Sequence, residues 1–236
     1  MKKNRIQLID AARGLAVILM VGHHALYNLA FFYNIPVPFL QSRLFFMLHI
    51  IFSGLFIFVA GLCCRFSRSN LKRGAIAFSI GLVISVVTII VVPHNAIYFG
   101  ILHFLGSSMM IYGLLKRFFD RFNDVLVIAV FFVVYVIVSQ FMPARTTLSP
   151  YLFPFGLFYS GFRSSDYYPV FPHIFLFFAG TGFGGIVKDN KLPKWFYETK
   201  VPFLSIVGRN SLAVYVIHQP VLVIVFWVTS RVISFF

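Results

Sequence analysis

Charge is scarce in this chain, and acidic charge scarcest of all. Its 236 residues hold 6 Asp and Glu against 20 Lys and Arg, with charged residues making up only 11%. Soluble domains carry about 25% charged residues and about 45–50% apolar ones. With 60% hydrophobic residues and a mean hydropathy of +0.90, a soluble fold is excluded and a polytopic membrane protein expected. Cysteine is nearly absent. The two present, Cys63 and Cys64, are adjacent and offer neither a disulfide framework nor a metal-ligand spacing. They read as small packing residues, with palmitoylation as the alternative. No pair of histidines sits on one face at a ligand spacing, which argues against a metal or heme site. No small-residue cleavage site follows the basic start Met1 to Arg5, so the first hydrophobic segment is expected to stay as a helix. Internal repeats and low-complexity stretches are lacking too, and the loops are too short for a soluble module, so residues 1–236 are expected to form one membrane domain.

What the chain does have is long apolar runs. Stretches of about 20 such residues mark membrane-spanning helices. They fall at 7–32, 44–63, 75–92, 97–115, 124–142, 170–187 and 204–229, predicting an all-α bundle of about seven spans. Between the fifth and sixth lies a long connection from Pro143 to Val170. Its segment 151–162 is too short to cross and is expected at the interface or as a re-entrant dip.

The formal charge of +14 does not point to nucleic acid, because the basic residues alternate between loops as membrane topology requires. Lys2, Lys3, Arg5 and Arg13 fall on one side, with Arg65, Arg68, Lys72 and Arg73, then Lys116, Arg117 and Arg121, then Lys188, Lys191, Lys194, Lys200 and Arg209. Of the 20 Lys and Arg residues, only Arg43, Arg145, Arg163 and Arg231 fall on the other. That places the N-terminus in the cytoplasm and, after seven spans, the C-terminus outside a plasma membrane.

Ionisable residues inside apolar helices are costly, and so point to function. The first span carries Asp10, Arg13, His24 and Asn28. Arg13 and His24 are almost three whole turns apart, on one face and about 16 Å from each other along the axis. Asp10 and Asn28 flank that face, and His23 is turned about 100° away, expected to pack or snorkel. Asp10 and Arg13 can also pair as i and i+3. A fixed guanidinium near the cytoplasmic end suits the phosphates of an anionic ligand. With this topology His24, His49, His94, His103 and His173 all lie toward the outside with Arg163 and Asp166, suggesting a proton-transfer centre there. In the last span His218 stands among Asn210, Ser211, Tyr215 and Gln219, and Pro220 frees a carbonyl one turn back. Whether these groups and His103 are polar glue between helices or parts of a site is open at this level.

Four stretches carry a family resemblance: Arg5 with Asp10, Arg13, Gly14 and His24; Phe99-Gly-Ile-Leu-His103; Ser165-Asp-Tyr-Tyr-Pro-Val-Phe-Pro172; and Gly208-Arg-Asn-Ser-Leu followed by Val214-Tyr, His218-Gln and Pro220. Spread over most of the chain, they resemble the bacterial branch of the heparan-α-glucosaminide N-acetyltransferase catalytic-domain family, within the transmembrane acyltransferase superfamily. The resemblance implies acetyl-CoA as the donor, used from the cytosol, and an amine or hydroxyl of a sugar or glycan on the other side, as in modification of cell-envelope polysaccharides. It implies His24 as general base or transient acetyl carrier, with Asp10, His103 and His218 as further catalytic candidates. Arg13, Arg5, Arg73 and Arg209 would bind the donor, and Asn28, Asp166, Tyr167, His173 and Gln219 the acceptor. The loop histidine that lysosomal members carry after the first helix has no counterpart in Asn34 to Arg43.

An acyl transfer needs a base for the acceptor's proton and donors for the developing oxyanion, and a histidine suits the first role. An extended pantetheine arm is on the order of the 16 Å that separates Arg13 from His24 along the helix. The other classes left open are a transporter or flippase, in which the stripe passes protons or a headgroup, and an inactive binding subunit. Membrane lipid is the remaining expected partner, with a second copy of the chain as a candidate; no metal is expected.

Overall fold

The computed structural model describes residues 5–142, 147 and 149–233. Lys2, Lys3 and Arg145 of the charge pattern lie outside them. Among the described residues there are nine α-helices: α1 (Gln7–Tyr33), α2 (Arg43–Cys64), α3 (Asn70–Val91), α4 (Ile101–Phe119), α5 (Asp124–Phe141), α6 (Val170–Lys188), α7 (Lys194–Glu198), α8 (Pro202–Arg209) and α9 (Ser211–Ile233). The only strand-like pairing among them is one bridge between Phe99 and Tyr167. An all-α membrane bundle is therefore what the chain forms.

Helices α1, α2, α3, α5, α6 and α9 are long and apolar enough to cross a membrane. The remaining expected span is α4, also a continuous helix, but its last turn carries Lys116 and Arg117. It buries most of its first half, from Ile101 to Gly106, so it depends less on an apolar outer surface. Two boundaries differ from the apolar pattern for local reasons. Ser69 accepts a hydrogen bond from the Lys72 amide at 3.3 Å, capping α3 ahead of its apolar run. The expected last span, 204–229, is broken at Asn210, which separates α8 from α9. There the Asn210 side-chain amide donates to the Ile206 carbonyl at 2.9 Å, competing with the backbone ladder.

The chain divides into two compact units, Met1–Phe56 with Leu192–Phe236, and Ile57–Lys191. In the first, α1 packs on α8 near its start and on α9 along the rest. Small residues permit the α1–α8 contact. A Cβ at Gly14 would collide with the Leu204 carbonyl, and one at Gly208 with the Asp10 carbonyl. Such glycines let membrane helices approach backbone to backbone. Ser205 Oγ donates to the Gln7 carbonyl at 2.9 Å. At the other end of α1, the Tyr33 hydroxyl meets Thr229 Oγ1 of α9 at 2.5 Å. Asn34 then ends α1 in the left-handed conformation, φ 51 and ψ 36, with Pro36 two residues on.

The second unit is built around α6. In its most apolar stretch 67% of residues are buried, against 6% for α5, whose surface faces outward. Three glycines again set the approach, since a Cβ at Gly61, Gly180 or Gly184 would strike the carbonyls of Phe177, Phe58 or Leu62. Helices α3 and α4 pair through Gly74 and Gly106, each facing the other's backbone. Segment 151–162 forms no spanning element. It is a loop with one short 3₁₀ turn, Phe153–Phe155, turned back by Gly156 at φ 94, a conformation that favours glycine.

Candidate active site

Within the Met1–Phe56 and Leu192–Phe236 unit, the polar face of α1 meets α8 and α9 in two places. The first is centred on Asp10, whose side chain is only 5% exposed. Arg5 binds it through Nε at 2.6 Å and Nη2 at 3.0 Å. Arg209, the last residue of α8, approaches Asp10 to 3.5 Å. Arg13, expected to pair with Asp10 along the helix, does so only at 4.0 Å. Its Nη2 donates instead to Ser211 Oγ at 2.5 Å, at the start of α9. One buried carboxylate thus gathers three guanidiniums and leaves a local excess of positive charge. Buried charges hold only when paired, and the part-exposed arms of Arg5 and Arg209 leave donors to spare for an anion.

Further along α1 is the second place. The rings of His24 and His218 lie 5.0 Å apart. His218 Nδ1 is 2.6 Å from the Tyr215 carbonyl, which can only accept. The proton therefore sits on Nδ1 and the basic lone pair on Nε2, the tautomer control that a catalytic histidine requires. One turn beyond His24, Asn28 is 7% exposed and accepts from Gln219 Nε2 at 3.3 Å. Asn28 Nδ2 and Gln219 Oε1 are buried without a partner. A donor and an acceptor left over side by side cost free energy in an apolar setting, and together they match a ligand group that both donates and accepts.

His23, turned from His24, is not idle. Its ring lies 4.8 Å from that of His49 on α2 and 4.9 Å from both Tyr27 and Phe45. The helical wheel separated it from the polar face but carried no sign of a partner histidine.

The Ile57–Lys191 unit holds the other expected site residues. His103 and Asp166 meet at the start of α4. Asp166 Oδ2 accepts from the Ile101 amide at 3.0 Å, and His103 Nδ1 accepts from the Gly100 amide at 3.2 Å. Nε2 must then carry the proton, which points at Ser85 Oγ, 3.4 Å away. This is helix capping by a histidine and a carboxylate, favourable for a helix N-terminus. Tyr167 donates from its hydroxyl to the Phe153 carbonyl at 2.6 Å, and burial pushes its phenol up to about 12, keeping it a neutral donor. His173 Nδ1 lies 3.0 Å from the Pro169 carbonyl. Arg73 is exposed on the first turn of α3.

An ion cluster with no counterpart among the expected residues lies in this unit. Arg65, just beyond α2, donates to the Thr181 carbonyl at 3.1 Å, to Asp124 at 2.6 Å, and to Asp120. Burial works against its charge, but Tyr112, Asp124 and Asp120 outweigh it and hold its pKa above the ordinary value. A lone arginine next to a span reads as a topology signal, so sequence gave no hint of its two carboxylates. Among the described residues no group of three His, Cys, Asp or Glu could hold a metal ion.

These features define a multi-pass membrane protein with a charged, histidine-bearing centre inside one helical unit. The sequence matches the family described as heparan-alpha-glucosaminide N-acetyltransferase, catalytic, over residues 5–220, and the chain belongs to that family of membrane acetyltransferases. The matched span begins at Arg5 of the Asp10 cluster and ends at Pro220, beside Gln219. No curated protein and no solved structure matches the chain.

Proposed function

We propose that the protein moves an acetyl group from cytosolic acetyl-CoA to an amine or hydroxyl of a sugar on the far side of the cell membrane, modifying an envelope glycan. The observation that carries the reading is the pairing of α1 with α8 and α9. It gives one helix an arginine cluster at one end and the His24–His218 pair further along. Arg5, Arg13 and Arg209 hold the donor's phosphates, by bidentate guanidinium–phosphate contacts. The 16 Å from Arg13 to His24, roughly three helical turns, suits a donor anchored by its phosphates with its thioester at the histidine. His24 takes the acceptor's proton as its lone pair attacks the acetyl carbon. His218, its tautomer set by Tyr215, supports His24, while Asn28 and Gln219 bind the acceptor group through their spare donor and acceptor.

Asp10 acts here as the anchor of the arginines rather than as a base. His103 and Asp166 hold the start of α4, and Tyr167 and His173 order the loop and the start of α6. The exposed Arg73 remains a candidate donor contact through its charge alone. The basic loops support a cytoplasmic N-terminus, with the C-terminus outside if α4 also crosses.

The deciding experiment is acetyl-CoA binding to the purified protein by calorimetry and thermal shift, with Arg13→Ala and His24→Ala alongside. Saturable binding that weakens in Arg13→Ala and persists in His24→Ala is expected. No binding to demonstrably folded protein would overturn the donor assignment. A second reading, a binding subunit without catalysis, draws on the missing loop histidine between Asn34 and Arg43. It predicts donor binding with no transfer to any acceptor.

A further inference from the structure

Four imidazoles form one row through the Met1–Phe56 and Leu192–Phe236 unit. His218 of α9 lies 5.0 Å from His24, ring centre to ring centre. His24 lies 5.4 Å from His23, and His23 lies 4.8 Å from His49 of α2. At such separations neighbouring ring edges come within reach of one another through a small rotation or one bridging water. Aromatic packing alone needs no histidine at any of these positions, and elsewhere the chain fills such places with phenylalanine. Imidazole is the side chain that takes a proton on one nitrogen and gives it up from the other near neutral pH. The geometry points to a proton relay in which His23 and His49 connect the His24–His218 centre to the α2 side of the unit. This rests on the proposed acetyl transfer.

The acceptor's lone pair forms the bond to the acetyl carbon, and the carbon–sulfur bond breaks with its electron pair leaving on the thiolate. The acceptor's N–H or O–H proton goes to His24. The thiolate takes a proton from cytosolic water. For a hydroxyl acceptor the proton released through the row equals the one taken up, whereas an ammonium acceptor must first lose a surplus proton and so releases one net. In both cases His24 must be cleared of its proton before the next turnover. His23 accepts it and His49 passes it on, about 9 Å from the start of α2 by helix rise. The titratable groups facing the row are Tyr27 from α1 and Tyr215 from α9, whose ring is 5.6 Å from that of His218. Phe45 closes it from α2. The charged groups of α1, Asp10 and Arg13, are held in the cluster at the other end of the helix.

His23→Phe and His49→Phe keep an aromatic ring in the row and remove the proton carrier. With radiolabelled acetyl-CoA and glucosamine as the probe acceptor, each is expected to lower kcat about tenfold or more. KM for acetyl-CoA should stay unchanged and the solvent deuterium isotope effect should rise. Added imidazole should restore turnover in His23→Ala, which a purely packing role would not allow. Wild-type kcat and an unshifted pH profile in both phenylalanine variants would overturn the relay while leaving the acetyl transfer standing. If the wild-type protein acetylates no glucosamine, the acceptor assignment fails instead. The row is then decided by nitrogen-15 NMR of histidine-labelled protein in nanodiscs. His23→Phe should displace the titration of the His24 ring. An undisplaced His24 titration would overturn the relay.

Discussion

In the Ile57–Lys191 unit, His103 has Nδ1 committed to the Gly100 amide and Nε2 facing Ser85, while Asp166 receives the Ile101 amide. In the Met1–Phe56 and Leu192–Phe236 unit, His24 is placed by ring contacts with His218 and His23. One turn on, Asn28 Nδ2 and Gln219 Oε1 remain buried and unspent. Both units bury histidine and amide or carboxylate groups among apolar helices. Beside His103 and Asp166 the polar groups are paired, and the unmet ones of that unit, Ser67, Asn70, Ser108 and Tyr112, lie on other residues. Beside His24 the unmet groups stand one turn from the histidine itself, where a substrate can use them, because each unmet group is costly until a ligand meets it. A buried polar residue in a membrane helix is therefore weak evidence for catalysis until its partners are counted.

The comparison breaks most sharply at the two histidines. His24→Ala should lower acetyl transfer by about 10²- to 10⁴-fold, the range of a lost general base, with the melting temperature nearly unchanged. His103→Ala should do the opposite. It removes the side chain that caps the first turn of α4, costing about 1–3 kcal/mol of stability, while the folded fraction keeps its turnover. Transfer assays normalised to folded protein, run beside thermal melts, check both. Loss of turnover in well-folded His103→Ala would erase the distinction between the units.

Next in size is Arg65→Met. It leaves Asp124 and Asp120 without their cation and the Thr181 carbonyl without its donor. The Asp120 side chain is 45% exposed and that of Asp124 16%, so water takes up part of the loss. The cost falls below the range of about 3–5 kcal/mol for a fully buried pair, read as a drop in the melting temperature. Turnover by the surviving folded protein should stay close to wild type, since the cluster belongs to the scaffold.

Arg13→Gln acts on the Met1–Phe56 and Leu192–Phe236 unit instead. Its guanidinium binds Ser211 at the α1–α9 junction, and a further hydrogen bond from this charged group to a donor phosphate contributes about 1.5–3 kcal/mol. Under the proposed function the loss appears as a KM for acetyl-CoA raised about 10- to 100-fold, with kcat largely kept. Wild-type KM should also rise with salt, because part-exposed charges are screened, and in Arg13→Gln that dependence should flatten.

Much of this was legible in the sequence. Apolar runs pointed to the long helices, although the last run covers both α8 and α9, and the hundred-degree step of the helix put Arg13 and His24 on one face, where α9 meets both. What the pattern could not carry was partnership across helices. Nothing about Asp10 alone announced that Arg5 and Arg209 would close on it more tightly than its i+3 neighbour Arg13. The alternating charges that define topology likewise hid Arg65 among loop residues. The break at Asn210 was missed because hydropathy averages over it, although Gly208-Arg-Asn210 carries the local signal, a small residue followed by a side chain that competes for backbone carbonyls. His23 points away from the polar face of α1 on the helical wheel. Its partner His49 belongs to another helix, a relation no single-helix projection contains.

The smallest expected effect tests the tautomer argument for His103. Ser85 is 8% exposed and its hydroxyl is the group toward which His103 Nε2 points at 3.4 Å. If Nδ1 accepts from Gly100, the Nε2 proton has, among the described residues, this oxygen to meet, and Ser85→Ala should cost about 1 kcal/mol with no change in kcat or KM. Ser85→Thr keeps the hydroxyl and should recover part of that loss, limited by the extra methyl group beside the close α3–α4 contact. A change in turnover with unchanged stability in Ser85→Ala would mean that His103 gives up its proton during the reaction. The second unit would then have to be counted as chemistry rather than scaffold.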